Sequence, residues 1–372
     1  FLQLMLNGAD PSSTCLLCHA APAGQNQPFG YYIATNKADL TAGNPPIQLS
    51  PAGDFGWLLK DYKWSTQESG INNELSMGDQ HGHNIIAQQY GYKADIAHDT
   101  SPGGNYPAGV LSCTSCHDPH GTYRRTADGK ISTTGPPIKA SGSYSNSPDP
   151  DGSGTVGTYR MLAGKGYQPK SVPGDTAFKA DPPDAVSPSI YNRAENFSET
   201  RVAYGSGMSE WCANCHSSSH KGGHPTGTTA KMSQTVISTY NKYLITGNST
   251  GMNINSYSTL VPFELGTSDY ATLKPVANSD GSNMSGPGPA SNVMCLTCHR
   301  AHASGWDYMT RWNMRGKFLT YNGDYPSADT NAPSIMSQGR TASESSRAYY
   351  DRSAKVFGSN QIGLCRKCHE KD

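Results

Sequence analysis

Cysteine occurs in this 372-residue chain only within Cys-x-x-Cys-His, and the motif is repeated until all 10 cysteines are used. The copies are Cys15, Cys18 and His19; Cys113, Cys116 and His117; Cys212, Cys215 and His216; Cys295, Cys298 and His299; and Cys365, Cys368 and His369. This spelling is the attachment signature of c-type haem: each thiol adds across one vinyl group, and the adjacent imidazole reaches the iron. The chemistry expected is one-electron transfer at five covalently bound haem c groups. Zinc fits poorly, because a structural site takes four ligands from two knuckles and five knuckles cannot be paired off. A thioredoxin-type dithiol would not recur five times outside a βαβ pattern. A disulfide framework usually belongs to much shorter chains.

The rest of the iron coordination must come from histidines outside the motifs. There are seven among the 12: His81, His83, His98, His120, His220, His224 and His302. That supply allows every iron to be bis-histidine, which leaves it saturated, low-spin and without a substrate site. His120 follows His117 by three residues, and His302 follows His299 by three. A histidine so close to a motif emerges beside its own haem and cannot loop to the far face, so it is placed to ligate a neighbouring haem. His220 and His224, shortly after the third motif, are placed in the same way. His83, in Gly82-His83-Asn84-Ile85-Ile86, reads as entering a short helix. The expected distal ligands are therefore His83, His120, His220, His224 and His302, with His81 and His98 in reserve. Methionine is a weaker alternative while histidine is in surplus. A multihaem reductase needs an open iron, and no open site is visible, so an electron-transfer protein is expected rather than an enzyme.

The elements that must position these residues are faint. Hydrophobic residues make up 35% of the chain, while Gly and Pro number 40 and 25. Apolar burial is the main force offsetting chain entropy, so porphyrin plates are expected to supply much of the core, aided by 21 tyrosines. Met232, Val236, Tyr240, Tyr243 and Leu244 form one helical stripe, and Ser343 to Phe357 a weaker one. Ser141 to Gly157 and Val276 to Asn292 are rich in loop-forming residues. The fold class expected is mostly irregular, with a few short α-helices and 3-10 turns at the motifs and little β. The chain is expected to form one continuous unit over 1–372.

Formal charge is zero, with 29 basic and 29 acidic side chains, so a nucleic-acid partner is not expected. No stretch is apolar enough for a membrane span, and no signal peptide is evident. Because haem is attached to this motif outside the bacterial cytoplasm, the sequence reads as a mature exported chain. Asp149 and Asp151 form the best calcium candidate, although calcium takes six or more oxygens.

Several stretches carry a family resemblance. They are Gly53-Asp54-Phe55-Gly56-Trp57, Cys116-His117-Asp118-Pro119-His120-Gly121, Gly166-Tyr167-Gln168-Pro169-Lys170-Ser171, Arg201 to His216, and Cys295 to Gly305. On these the chain resembles the multihaem c-type cytochromes that polymerise into extracellular filaments in metal-reducing bacteria. The resemblance implies head-to-tail subunits and a continuous chain of bis-histidine haems, alternately stacked and T-shaped. Electrons would pass along it to extracellular acceptors. The family pattern has a sixth motif, which would lie upstream of Phe1, and beside it a histidine that ligates a neighbour's haem. The haem so ligated corresponds to the one at Cys295, Cys298 and His299. His83, His120, His220, His224 and His302 match family positions. In a six-motif chain His120 would serve the first haem. Without that haem, His120 is the leading candidate to act across the subunit boundary. A soluble periplasmic carrier with the same haems is the runner-up.

Overall fold

The computed structural model describes residues 7–66, 73–169, 172, 174, 176–188, 195, 200–219, 224–244, 250–330 and 332–370. Loop dominates, as the glycine and proline content dictates. Among the described residues the α-helices are α1 (Pro11–His19), α2 (Met208–Cys212), α3 (Gln234–Lys242), α4 (Tyr270–Leu273), α5 (Cys295–Cys298), α6 (Ser334–Ser337) and α7 (Ala342–Ala348). Single 3-10 turns cover Cys113–Ser115 and Leu364–Lys367. Every motif thus begins within, or is spanned by, one helical turn. That turn brings both thiols to one side and sets the histidine just beyond.

The local causes are readable. Asp10 caps α1 by accepting from Ser13 N at 2.7 Å, and Pro11 occupies the first turn, where its missing N–H costs nothing. Ser233 caps α3, whose Tyr240 is fully buried and donates to Val261 O at 2.7 Å. The weaker stripe yields α7, which opens with a Thr341/Glu344 capping box. It stops early because Tyr350 and Asp351 turn left-handed, with φ of 60° and 54°. His83, expected at the start of a helix, instead lies between two 3-10 turns, Gly78–Gln80 and Gln88–Tyr90.

The β-structure is in short pieces. β1 (Tyr62–Ser65) and β2 (Asn73–Ser76) pair antiparallel, with Tyr62 opposite Ser76. A four-stranded sheet in the order β4-β3-β6-β5 joins Arg124–Arg125 (β3), Ile131–Ser132 (β4), Ile138–Ala140 (β5) and Thr155–Gly157 (β6). β7 (Ala185–Val186) pairs with β8 (Ala203–Tyr204). Strands of two to four residues are too short to show an alternating pattern, which is why the sequence discloses none of them.

Side chains build more of the core than the composition suggested. The main cluster runs from Leu16 to Leu364 and is led by Trp57, Tyr240, Phe263, Trp312 and Tyr349. Few but large aromatics fill the space that aliphatic residues occupy in other proteins. Among the described residues no helix is long and apolar enough to cross a membrane.

One backbone junction positions the site. Residues 302–304 pass between two earlier segments: His302 N donates to Ala52 O at 2.7 Å, His83 N to His302 O at 2.9 Å, and Ser304 N to His81 O at 3.0 Å. The passage is narrow enough to require glycine. Gly53 has φ +105°, and a β-carbon there would stand 1.7 Å from Ala303 O. Gly53→Ala should cost about 3 kcal/mol through strain and overpacking, and should also displace His302. Denaturant unfolding of holoprotein, read beside its haem spectrum, checks both effects.

Candidate functional site

The motifs are brought together in pairs. The Cys15 thiol is hydrogen-bonded to that of Cys113, and the Cys212 thiol to that of Cys295. Each pair is fastened by the same bond. Cys113 N donates to Ser12 Oγ at 3.2 Å, and Cys295 N to Ser209 Oγ at 3.0 Å. Both serines stand three residues before the first cysteine of the partner motif. The pairs are joined in turn, because Cys116 lies within electrostatic reach of Cys212 and Cys215, and Cys298 of Cys365 and Cys368. Successive motifs therefore lie near one another in chain order.

Cysteine is normally among the most buried residue types. Here none of the ten is buried. A cleft of about 690 Å³ opens beside His216, lined by Thr100, Pro102, Asn105 and Ser217 among others.

Five of the imidazoles are each held at Nδ1 by a backbone carbonyl. His19 Nδ1 meets Tyr31 O at 2.9 Å, His117 Nδ1 meets Arg160 O at 2.8 Å, and His216 Nδ1 meets Pro102 O at 2.8 Å. His299 Nδ1 meets Tyr308 O at 2.8 Å, and His83 Nδ1 meets Ala301 O at 2.7 Å. A carbonyl can only accept, so in each ring Nδ1 carries the proton and Nε2 keeps its lone pair free. Burial, followed by the neighbouring His216, pushes His83 down to about 4. Burial, then His117, pushes His302 down to about 3. Both rings stay neutral at physiological pH, the form in which imidazole ligates.

Three pairs of rings stand at one particular spacing. His117 and His302 have centroids 6.4 Å apart, His83 and His216 6.0 Å, and His224 and His369 5.9 Å. An imidazole nitrogen binds a first-row metal at about 2 Å. Two rings on opposite faces of one iron, each centroid about 1 Å behind its nitrogen, stand roughly 6 Å apart. Each pair joins a motif histidine to one outside that motif, so the residues fit haem. In addition, Phe55 stacks on His302 with centroids 4.7 Å apart and so holds that ring from the side.

The other spare histidines fall elsewhere. His120 is exposed in the turn after the second motif, and among the described residues no second imidazole stands opposite it at this spacing. His220 lies outside the described residues. His81, a reserve ligand by sequence, is fully buried; its Nδ1 meets Trp57 O at 3.0 Å and its Nε2 meets Ser76 Oγ at 2.8 Å. With both nitrogens engaged, it has none to offer a metal. His98 is exposed and meets Asp95 Oδ2 at 3.1 Å. The calcium candidate has its oxygens engaged as well: Asp151 accepts from Lys139 at 2.5 Å and from Ser153 N and Gly154 N, and Asp149 pairs with Lys274 at 3.2 Å.

One feature was not legible in the sequence. Glu195 is buried among Arg300, Arg311 and Arg352, at 3.2, 3.7 and 3.4 Å. Burial alone would raise its carboxyl, but the three guanidiniums outweigh burial and hold it below the usual range. Arg300 also lies over the Tyr350 ring at 3.6 Å, and its Nε is buried without a hydrogen-bond partner. The cluster sits against the fourth motif, since Arg300 follows His299 and Arg311 Nε donates to Leu296 O at 2.7 Å. A local excess of buried positive charge beside a motif suits a group that brings its own carboxylates.

No family model matches the chain. It is 50% identical over 99% of its length to the C-type cytochrome OmcS of Geobacter sulfurreducens, of which it covers 86%. Its fold matches the OmcS nanowires of that organism, solved by cryo-electron microscopy, with a TM-score of 0.89, 48% identity and coverage of 98% of this chain and 90% of that one. A second structure, the outer membrane cytochrome S filament from the same species, also gives 0.89, at 49% identity. Identity at this level over nearly the whole chain, on paired haem motifs with imidazoles set for iron, places the protein: it belongs to the OmcS family of C-type cytochromes.

Proposed function

We propose that the chain is the subunit of an extracellular cytochrome filament and passes electrons along five covalently bound haem c groups. The observation that carries this is the succession of neighbouring motifs from Cys15 to Cys368, with paired imidazoles at iron-spanning distance along it. In this reading the ten cysteines form the thioethers, and His19, His117, His216, His299 and His369 are the proximal ligands. His302 closes the iron of His117, His83 that of His216, and His224 that of His369. Haem c supplies a one-electron couple when bound. The chain's own residues would orient the axial imidazoles, keep His83, His117 and His302 neutral and set neighbouring sites side by side. Saturated iron leaves no place for substrate, so the activity is electron transfer rather than catalysis.

His120 and His220 complete the supply of distal ligands. His302 stands three residues after its motif and faces the histidine of another motif, not its own. His120 has the same offset from His117 but points from an exposed turn, so the iron it serves belongs to a neighbouring subunit. Ligation across the boundary would make haem closure and head-to-tail assembly one event, and a contact that does not close on itself gives a filament.

Negative-stain microscopy of the secreted holoprotein, with an intact mass and a carbon monoxide titration, tests the reading. Filaments, a mass increment of five haems and no carbon monoxide adduct are expected. Monodisperse particles would favour a soluble periplasmic carrier. A carbon monoxide-binding iron in the wild-type protein would favour a reductase.

A further inference from the structure

Besides Tyr350 and Asp351, two pairs of consecutive residues break the usual rule that left-handed conformations belong to glycine. Arg160 and Met161 have φ of 51° and 56°, and Tyr308 and Met309 have φ of 59° and 49°. Residues other than glycine enter this region mostly singly and as Asn or Asp, because a β-carbon crowds the following carbonyl. These are consecutive pairs of long side chains, and both face a haem motif.

Their contacts correspond one for one. Arg160 O accepts from His117 Nδ1 at 2.8 Å, and Tyr308 O from His299 Nδ1 at 2.8 Å. Met161 O accepts from Asp118 N at 2.9 Å, and Met309 O from Arg300 N at 2.8 Å. Two residues further on, Ala163 N donates to Cys116 O at 2.9 Å, and Arg311 N to Cys298 O at 2.7 Å. His117 thereby bridges antiparallel to Leu162, and His299 to Thr310. The two segments, Tyr159-Arg160-Met161-Leu162 and Asp307-Tyr308-Met309-Thr310, share only the methionine, so sequence identity does not explain the match.

A helical turn points successive carbonyls the same way, whereas an extended strand alternates them. The doublet can therefore reach the ring nitrogen and the next backbone amide together, which grips the motif at two points, the imidazole and the backbone just after it. The first motif of each pair lacks this device. His19 and His216 donate to Tyr31 and Pro102, neither of which has positive φ.

We propose that the Arg160–Met161 and Tyr308–Met309 doublets are positioning devices. They fix the imidazole planes of His117 and His299, and thereby the ligand field and reduction potential of the second haem in each motif pair. A ring held to a carbonyl is oriented and made more basic, which stabilises ferric iron and lowers the potential. This rests on the haem assignment above, which an intact mass tests separately.

Tyr308 is the clean position to probe, because its side chain is 70% exposed and has little packing to lose. The series Tyr308→Gly, Tyr308→Asn, Tyr308→Ala and Tyr308→Val runs from most to least tolerant of positive φ. For each, the haem count is read by mass, the axial ring geometry by low-temperature electron paramagnetic resonance, and the potentials by redox titration. Gly and Asn should match wild type. Ala and then Val should increasingly shift one low-spin signal and move one reduction step upward, leaving the other four in place. A flat series at full haem loading overturns the proposal, as does a Gly variant perturbed as much as Val. If Val does not load haem, the contrast between Ala and Asn decides. A wild-type mass lacking the haem at Cys295 overturns the haem assignment and the proposal with it.

Discussion

His302→Ala should turn one haem high-spin and make it bind carbon monoxide while the others stay low-spin. The residue stands opposite His117 at 6.4 Å, is stacked on Phe55, and is held neutral by burial. In the reading proposed above the substitution removes an axial ligand, and the adjoining His81, with both nitrogens engaged, cannot take its place. It also empties a packed position, which should cost about 3 kcal/mol of stability. The variant should still carry every thioether, since Cys113 and Cys116 are untouched. An unchanged mass with a new carbon monoxide difference spectrum is the expected pair of results. A variant that remains entirely low-spin would show that another side chain closes this iron, and the axial assignment would have to be redrawn.

Glu195→Ala should be comparably damaging, by a different route. Three buried guanidiniums would lose their only common carboxylate, and breaking a buried ion pair costs about 3–5 kcal/mol. Glu195→Gln keeps hydrogen-bond acceptors without the charge and should fall between that variant and wild type. The same cluster sets an acid limit. The carboxyl of Glu195 lies below its ordinary value in the folded chain. Its contribution to stability is therefore complete above the unfolded value of about 4.3, and is lost as pH falls through the folded one. Urea midpoints of wild type and Glu195→Gln should converge as the pH is lowered through that range. Midpoints that remain equally far apart down to the lowest pH reached would assign the stabilisation to another group.

The motifs and their helical turns were legible because haem attachment demands a fixed spacing, and one turn is the local structure that supplies it. His83, His224 and His302 could be selected as spare imidazoles, but their partners could not. The partners of His83 and His302 are set by the junction at Gly53, Gly82 and Ala303, which joins segments far apart in sequence. The short strands and left-handed doublets left no trace, because elements of two or three residues carry no period. Glu195 was invisible for the opposite reason. A lone glutamate in a polar stretch reads as solvated until distant arginines are seen to surround it. Composition also misled, since a low aliphatic content concealed a core of large aromatics.

The junction at Ala303 has a consequence for how the molecule is made. His302 lies opposite a motif in the first half of the chain, and His83, from the first half, lies opposite a motif beyond it. Each half thus holds a part that the other needs. In the reading proposed above, a chain emerging amino terminus first cannot finish the site at His117 until residue 302 arrives, however promptly its thiols are loaded. Closure of that site is thereby a late event. The site at His216, whose partner His83 comes earlier, can close as soon as its own motif appears. A chain truncated before Cys295 would not merely be two motifs shorter; in the reading proposed above it would also leave the site at His117 unfinished.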